Sequence, residues 1–563
     1  MIANSQGNKI TPSVVDFTKE GKLIGEGADI QRKLDPPNTI YNVKRFIGRT
    51  FDDPAAQGSH PAHPFKVVER NKKEIEMWEN LPKEIILHMM SYLRYYDVVV
   101  AGFVCQNWHS LSKNELIWKR VLVRHFSLPL PATLRPGAQS WRQEFIRMTN
   151  EIPSVLTDLP DYASQMANKA VHVAFANNKN LFSVCYEGLG FKVWRPTNPC
   201  TYIFKDNCRK PLKMQSLDAE TSQFNSTDEF LLVAGFFPRG ADAHILIYKV
   251  EVENVFSLVK RIYTNWNVYP CNLWVDETTF LSYHKVWYLP EEDENFEIQL
   301  GISVDTNVVV NGGENDGQRI FNEVNCEILG TWNRVGSFKD PESGLPNVLL
   351  PIGKASGANF EYNTGIGLLK KGWQDQMKTC TLNDRDVMMG ITGFCLSKDK
   401  TCFINARPFK IIQEDGETVL YGEEGFKIFK LDLATMTVSG APLTGHEGIP
   451  GTNKYGDEWM ENFCPDASAD YVACGSETNG AFLWDRHFGC VLKRFSSELD
   501  QHYQLPQNVE EEETFVKSVA ISRGEQDIMV TVDGYPEMVG YGNKPFNGRI
   551  KVYRSKKWIR ENN

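Results

Sequence analysis

The chain has 563 residues, 42% of them hydrophobic, and a formal net charge of −10 at pH 7. That length predicts two or more domains, and the acidic balance argues against nucleic acid as the main partner. No apolar run approaches the roughly 20 residues that span a bilayer, and the N-terminus has no signal-peptide pattern. Twelve cysteines without a CxxC pair predict free thiols in a reducing compartment. We therefore expect a cytoplasmic protein, with the nucleus as an additional location.

Residues 1–72 form the first predicted segment. The stretches Ile2–Thr18, Asn38–Gln57 and His63–Glu69 resemble the nucleotide-binding domain of seventy-kilodalton heat-shock chaperones. The resemblance implies an ATPase, but the family's glycine-rich phosphate loop is not found in front of this stretch. Pro61 also stands where the family has its catalytic lysine. We expect a poorly ordered, non-functional fragment, because a piece of a larger domain cannot bury its own apolar face.

Residues 76–126 are predicted to form three helices. Pro82 and Glu84 suit a helix start, and an apolar stripe follows that includes Ile85, Ile86 and Leu93. A second helix is predicted from Val98 to Trp108 with Asp97 as its N-cap, and Ser112 is predicted to cap the third. A unit of about 50 residues is too small for a self-sufficient core, so part of its apolar surface is expected to face a partner.

The landmarks of this segment resemble the F-box. They are Leu81-Pro82, Ser91-Tyr92-Leu93, Asp97-Val98, Val104-Cys105, Trp108, Leu111-Ser112 and Leu116-Ile117-Trp118. The resemblance implies that the unit binds the Skp adaptor of a Skp–cullin-1–F-box ubiquitin ligase. Its adaptor-binding residues would be Leu81, Pro82, Ile85, Ile86 and Leu93, with Cys105 and Trp108 in the internal core. An ordinary helical-bundle fragment is the alternative.

Residues 127–152 are predicted to form a helical linker, and residues 153–555 an all-β domain. Short β-branched and aromatic runs alternate there with turn residues, which indicates a sandwich or a propeller. Val171–Trp194 and Gly390–Phe409 repeat the same strand pattern, and Phe426–Asp432 supplies a third strand after an insertion. The span from Gly445-His446 to Trp484-Asp485 is typical of one WD-repeat blade.

The repeats favour a degenerate seven-bladed WD-repeat propeller over a sandwich. Pro153–Leu159 would close the ring as a strand of the last blade, and 303–386 would be one irregular blade with a long loop. Only the unit from Gly445 to Asp485 has standard signatures, and Thr478 stands where the usual turn aspartate would be. Residues 556–563 are predicted to be a tail.

An F-box followed by WD repeats resembles the F-box/WD-repeat family, whose members are non-catalytic substrate receptors of ubiquitin ligases. The resemblance implies that the propeller binds a protein substrate for ubiquitination and degradation. No hydrolase, protease or phosphate-loop motif is present, so we expect no catalytic residue, metal or cofactor. His446 is interpreted as a structural histidine. Arg195, Arg407 and Arg486 are candidates for binding a phosphorylated segment.

Two other functions remain open. One is a propeller scaffold without ubiquitination. The other is a receptor for a cullin-4 ligase, because Trp484, Asp485 and Arg486 resemble the Trp-Asp-x-Arg motif that docks on its damaged-DNA-binding adaptor. Here the arginine comes one position early, and the end of an ordinary blade strand is the competing interpretation.

Overall fold

The computed structural model describes residues 12, 14–18, 21–43, 53–54, 64–65, 82–158, 170–186, 188–207, 217–237, 240–251, 255–264, 272–274, 277, 280–286, 297–303, 318–325, 336–339, 346–356, 360–370, 378–384, 387–414, 417–423, 425–446, 451–452, 463–477, 480–495, 515–523, 528–534 and 549–562. The chain divides into two compact units, Met1–Val121 and Leu122–Asn563. Within the described ranges, no helix has both the length and the apolar character needed to cross a membrane.

The first unit begins with a small antiparallel sheet of order β2-β1-β3. Its elements are β1 (Val14–Thr18), β2 (Gly21–Ile24), α1 (Glu26–Leu34) and β3 (Thr39–Tyr41), with a 3₁₀ turn at Pro36–Asn38. The buried Thr39 hydroxyl donates a 2.7 Å hydrogen bond to Asp16. The expectation of a poorly ordered segment is wrong for these residues. The expectation of an uncovered apolar face is confirmed, since Ile24, Ile30 and Leu34 are exposed.

Four helices, not three, follow in the F-box-like segment. They are α2 (Lys83–Met90), α3 (Tyr95–Ala101), α4 (Gln106–Ser112) and α5 (Glu115–His125). The predicted helix from Val98 to Trp108 is broken after Ala101, because the chain turns at Gly102. A Cβ on Gly102 would lie 2.6 Å from the Ser112 hydroxyl, so this close approach requires glycine.

The predicted helix caps of this segment are also wrong. Asp97 lies in the first turn of α3 and pairs with Arg94 at 3.2 Å. Ser112 ends α4 instead of starting a helix, and the side chain of Asn114 accepts the backbone N–H of Leu116 at 2.9 Å. The sequence pattern therefore predicted helical structure correctly here but misplaced its ends, which are the least reliable part of such a prediction.

The second unit opens with α6 (Trp141–Ile146), which continues into a π-helical turn at Arg147–Glu151. Ser140 caps α6 by accepting the backbone N–H of Gln143 at 3.0 Å. Phe145 and Met148 are buried, so this linker segment packs on the unit to which it belongs. The segment leads directly into strand β4 (Pro153–Asp158).

Seven antiparallel sheets make up the described remainder of this unit. Sheet 1 contains β5–β8, at Ala170–Phe175, Phe182–Tyr186, Gly190–Arg195 and Thr201–Asp206. Sheet 2 contains β9–β12, at Asp218–Phe224, Phe230–Phe237, Gly240–Val250 and Phe256–Thr264. Sheet 3 contains β13–β16, at Asn272–Trp274, Phe280–Val286, Glu297–Ser303 and Gln318–Asn325. Sheet 4 contains β17–β20, at Gly336–Lys339, Pro346–Ser356, Phe360–Lys370 and Lys378–Thr381.

The last three sheets are less uniform. Sheet 5 contains β21–β27, at Asn383–Asp384, Val387–Leu396, Cys402–Glu414, Glu417–Gly422, Lys427–Asp432, Thr437–Val438 and Gly451–Thr452. Sheet 6 contains β28–β31, at Asp466–Ala467, Tyr471–Gly475, Ala481–Asp485 and Val491–Phe495. Sheet 7 contains β32–β34, at Phe515–Ile521, Ile528–Gly534 and Arg549–Ser555, together with β4.

The sheets pack on one another in a circular order. Buried apolar side chains join sheets 1 and 2, 2 and 3, 4 and 5, 5 and 6, and 6 and 7. Strands β13 and β17 bring sheets 3 and 4 together. A further cluster, which includes Phe182 of sheet 1 and Val552 of sheet 7, joins the last sheet to the first. This order is that of a WD-type propeller.

Strand β4 pairs antiparallel with β34, with Leu156 opposite Tyr553. The predicted closing strand is therefore confirmed. The inserted third strand is confirmed as well, because β25 pairs with the first half of β23 while the hairpin partner β24 pairs with its second half. The single irregular blade predicted for 303–386 is wrong. That region contains β16, the whole of sheet 4 and β21. The segment predicted as a tail contains a helix, α7 (Lys556–Asn562).

Candidate functional site

Ten large apolar side chains on the helices and connecting turns of the first unit remain exposed, and we call them the exposed apolar surface. They are Ile85, Met89, Tyr92, Tyr95, Tyr96, Val99, Val100, Phe103, Val104 and Leu116. Phe103 is 81% exposed, and Leu116 and Val100 are 68% and 63% exposed. Scattered apolar residues on a surface are common, but such a concentration within about 30 residues of sequence is typical of a protein-binding surface.

The helices hold this surface in place through a compact core behind it. Ile86, Met90 and Val98 are buried, as are Ile117 and Trp118. The indole of Trp118 donates a 2.7 Å hydrogen bond to the backbone carbonyl of Ser112. Arg120 donates a 3.0 Å hydrogen bond to the Ser91 hydroxyl, so α5 is tied to the end of α2.

The predicted adaptor contacts divide between surface and core. Ile85 and Pro82 are exposed and Leu93 is half-buried, while Leu81 lies outside the described residues. Ile86 is 1% exposed, so its prediction as a contact residue does not agree with the structure. It lies one position after Ile85 on α2, and one residue is about 100° around a helix. In this structure Ile85 faces outward and Ile86 faces the core.

Cys105 and Trp108, which were predicted to lie in the core, are only half-buried. The sulfur of Cys105 caps α4 by accepting the backbone N–H of Trp108 at 3.5 Å. Sequence analysis missed Val100, Phe103 and Val104 as surface residues. A signal was present, because Val98, Val99 and Val100 together span about 200° of one helix and cannot all face a single core.

A second candidate site is a buried ionic network that fixes the linker on sheet 6. Arg147 forms hydrogen bonds to Glu144 at 2.6 and 2.9 Å and also pairs with Asp485. Arg135 contacts Asp470 at 2.7 Å and the Glu144 carboxylate at 3.4 Å. Glu144, Arg147 and Asp485 are buried. We call these five side chains the linker network.

Charge compensation stabilises this network. Burial by itself would lower the pKa of Arg147, but the carboxylates of Asp485 and Glu144 raise it well above its ordinary range. Arg147 therefore stays charged in its buried position. Nearby contacts add to the attachment: the rings of Trp141 and Phe488 are 6.4 Å apart.

The three residues of the Trp-Asp motif are used inside the second unit. Trp484 and Asp485 are 0% exposed, and the Trp484 indole donates a 2.9 Å hydrogen bond to the carbonyl of Thr444. Arg486 extends to sheet 5, where it pairs with Asp399 at 2.5 Å. Burial would raise the pKa of Asp399, but hydrogen bonds from Arg486 and Ser397 lower it below its usual range. The structure therefore offers neither Trp484 nor Asp485 at a surface.

His446 joins sheets 5 and 6. Its Nε2 lies 2.8 Å from the side-chain oxygen of Asn405, whose amide nitrogen donates to the carbonyl of Phe463 at 3.1 Å. Its ring packs edge-on against Trp484 with the centroids 5.0 Å apart. Burial lowers the pKa of His446 to about 3. Asn405 thus supplies a hydrogen-bond partner for His446. Thr478, which stands where the usual turn aspartate would be, lies outside the described residues.

Two of the arginines considered for phosphate binding already have carboxylate partners. Arg407 is buried and contacts both oxygens of Glu477 at 2.9 and 3.1 Å, and Arg486 is paired as described. Arg195 is half-buried at the end of β7. Among the described residues, no cluster of His, Cys, Asp and Glu side chains is suited to a metal ion. The nine cysteines that lie in the described part are free thiols.

Comparison with known proteins finds similarities to different families in different parts of the chain. The F-box-like family model matches residues 78–124, and the Hsp70 protein family model matches residues 1–93. The N-terminal part is 51% identical over 71 residues to a ribosome-associated molecular chaperone of Eremothecium gossypii. That match covers 13% of this chain and 12% of the chaperone.

The greater part of the chain is similar to F-box/WD repeat-containing protein 5. The human protein is 25% identical over 583 aligned positions, which cover 85% of this chain and 95% of the relative. The match to the mouse protein is 26% identical over 207 residues and covers 36% of this chain but only 34% of that relative. The chain is thus a homologue of F-box/WD repeat-containing protein 5 over 85% of its length.

Among solved structures, the chain is similar to Raptor from Chaetomium thermophilum, and the match covers 84% of this chain and 40% of Raptor. The sequence identity is 11% and the TM-score is 0.41.

Proposed function

We propose that this protein is the substrate-recognition subunit of a Skp–cullin–F-box ubiquitin ligase. The four-helix segment binds the Skp adaptor of a cullin-1 ligase through the exposed apolar surface. The seven sheets form a seven-bladed propeller that binds a protein substrate for ubiquitination and proteasomal degradation. The observation that carries the proposal is the exposed apolar surface, which lies within the segment matched by the F-box-like family model.

The proposed mechanism requires no reactive group from this chain. A receptor that holds a substrate and a ligase core at the same time raises the effective concentration of substrate lysines near the charged ubiquitin. The homology to F-box/WD repeat-containing protein 5 supports this general role. A cytoplasmic location, with some protein in the nucleus, belongs to the same proposal.

The alternative functions have less support. A propeller scaffold without ubiquitination would leave the exposed apolar surface without an assigned partner. Docking on the cullin-4 adaptor through Trp484, Asp485 and Arg486 stays a prediction, but two of these residues are buried and the third is paired. The contacts in the second unit therefore favour a structural role for this motif.

Adaptor binding is the direct test. The chain is co-expressed with the Skp adaptor and cullin-1, and the dissociation constant of the purified chain for the adaptor is measured by calorimetry. Placing a charge in an apolar interface costs about 2 kcal/mol or more, which is roughly a 30-fold loss of affinity. We expect Val100→Glu and Phe103→Glu each to weaken adaptor binding by at least that factor.

Val255→Glu is the matched control, since Val255 is 54% exposed and lies in the second unit. It introduces the same charge on an exposed valine and should leave adaptor binding unchanged. The proposal fails if the wild-type chain binds no adaptor, or if Val100→Glu and Val255→Glu have equal effects.

A further inference from the structure

Asp485 is a buried carboxylate that needs a cation, and its own strand does not provide one. The next residue, Arg486, turns away to Asp399 on sheet 5. His487 follows, and its ring nitrogen Nε2 lies 3.3 Å from the carbonyl of Thr133. One oxygen of Asp485 accepts the backbone N–H groups of His487 and Phe488 at 2.9 and 2.7 Å. The other oxygen faces Arg147 of the linker.

The cation thus comes from a residue 338 positions earlier in the chain. Arg147 also neutralises Glu144, which is buried beside it on the same helical segment. Removing Arg147 would leave two carboxylates in a buried position, and an uncompensated buried charge is strongly destabilising. The buried part of the linker attachment to sheet 6 therefore depends on the Arg147 guanidinium group.

We propose that Arg147 is a positioning residue for ubiquitin transfer, which fixes the linker on sheet 6 by pairing with Asp485. The inference rests on the proposed function, because the linker connects the adaptor-binding segment to the substrate-binding sheets. Arg135 reinforces the attachment from the partly exposed side, through Asp470. With this pairing intact, segment 141–151 keeps one position on sheet 6, and transfer is confined to a limited set of lysines.

The first test is hydrogen exchange on the purified full chain, which needs neither adaptor nor substrate. Arg147→Met keeps most of the side-chain volume and leaves Glu144 and Asp485 with one cation fewer. We expect exchange of the amides in 141–151 to become roughly 10- to 100-fold faster, while sheets 1 and 2 keep their protection.

The double variant Arg147→Met/Asp485→Asn separates charge from packing. The amide that replaces the carboxylate retains an oxygen that accepts the two turn N–H groups, and it removes the charge at Asp485. Glu144 keeps its carboxylate but still has its 3.4 Å pair with Arg135. Exchange in 141–151 should then return to within about threefold of the wild type. Unchanged exchange in Arg147→Met, or equal acceleration in the single and double variants, would overturn the proposal. If Arg147→Met does not fold, Asp470→Asn serves as a second variant, because it affects only the partly exposed pair. We expect it to accelerate exchange in 141–151. Unchanged exchange in Asp470→Asn would then overturn the inference.

The second test measures whether Arg147 determines which lysines receive ubiquitin. The chain is assembled with the Skp adaptor and the cullin-1 ligase core, and the lysines of the chain itself that receive ubiquitin are mapped by mass spectrometry. We expect wild type and double variant to share one restricted set, and Arg147→Met to spread ubiquitin over additional lysines while adaptor affinity stays the same. An unchanged set in a variant with a released linker would refute the positioning role. A chain that binds no adaptor would instead refute the proposed function, and the exchange result would still stand.

Discussion

Burial of His446 predicts that the second unit loses stability in mild acid. Burial lowers the pKa of this histidine to about 3 in the folded protein, compared with about 6.5 in an unfolded chain. At pH values between these two pKa values, the unfolded state binds a proton that the folded state does not. The contribution of neutral His446 to the free energy of unfolding is therefore complete above pH 6.5 and is lost as the pH falls toward 3. At pH 5 the difference of about 1.5 units from the unfolded value corresponds to about 2 kcal/mol.

The assay is urea unfolding of the full chain at pH 7.5 and pH 5, followed by tryptophan fluorescence. Other groups also titrate in this interval, so the measured quantity is the difference between wild type and His446→Gln. The glutamine keeps a donor for Asn405 but does not titrate near neutral pH. We expect the wild type to lose about 2 kcal/mol more than the variant between the two pH values. Equal losses would show that the reasoning about His446 is wrong.

Three further predictions concern packing and the N-terminal segment. A Cβ at Gly475 would lie 1.9 Å from a backbone carbonyl oxygen of the neighbouring sheet, so Gly475→Ala should lower the melting temperature strongly. Gly27→Ala should not, because a Cβ there meets nothing within 4 Å. Trp484→Phe, which loses one buried hydrogen bond, should cost about 1 kcal/mol, and Trp484→Ala about 3–5 kcal/mol, both measured by chemical unfolding. Deletion of residues 1–70 should leave adaptor affinity unchanged in calorimetry, and the intact chain should not bind ATP; a changed affinity or measurable ATP binding would contradict the fragment interpretation.

Much of the second unit could be predicted from local patterns. Strands β5, β6 and β7 follow the alternation in Val171–Trp194, and the insertion before β25 follows from the spacing of two similar runs. The closing strand β4 was predictable because a ring of sheets needs a partner for its last edge. The strands of sheet 4 were missed, since the irregular sequence there gives no clear repeat.

Long-range electrostatic contacts could not be predicted in the same way. No local pattern links Arg147 to Asp485 across 338 positions, and the Trp-Asp motif suggested an external partner instead. In the first unit the F-box landmarks predicted a helical module. The sequence did not show which of the consecutive valines 98–100 face outward. Exposure of Val100 and burial of Ile86 depend on how each helix packs on its neighbours, which no local pattern encodes.

The most direct test of the central claim compares ubiquitination by wild-type chain and Val100→Glu in cells treated with a proteasome inhibitor. Proteins captured by each variant are identified by mass spectrometry, together with the ubiquitin remnants on their lysines. A substrate receptor predicts a group of proteins that bind both variants but carry additional ubiquitin only with the wild type. Identical ubiquitin remnants with the two variants would contradict the account.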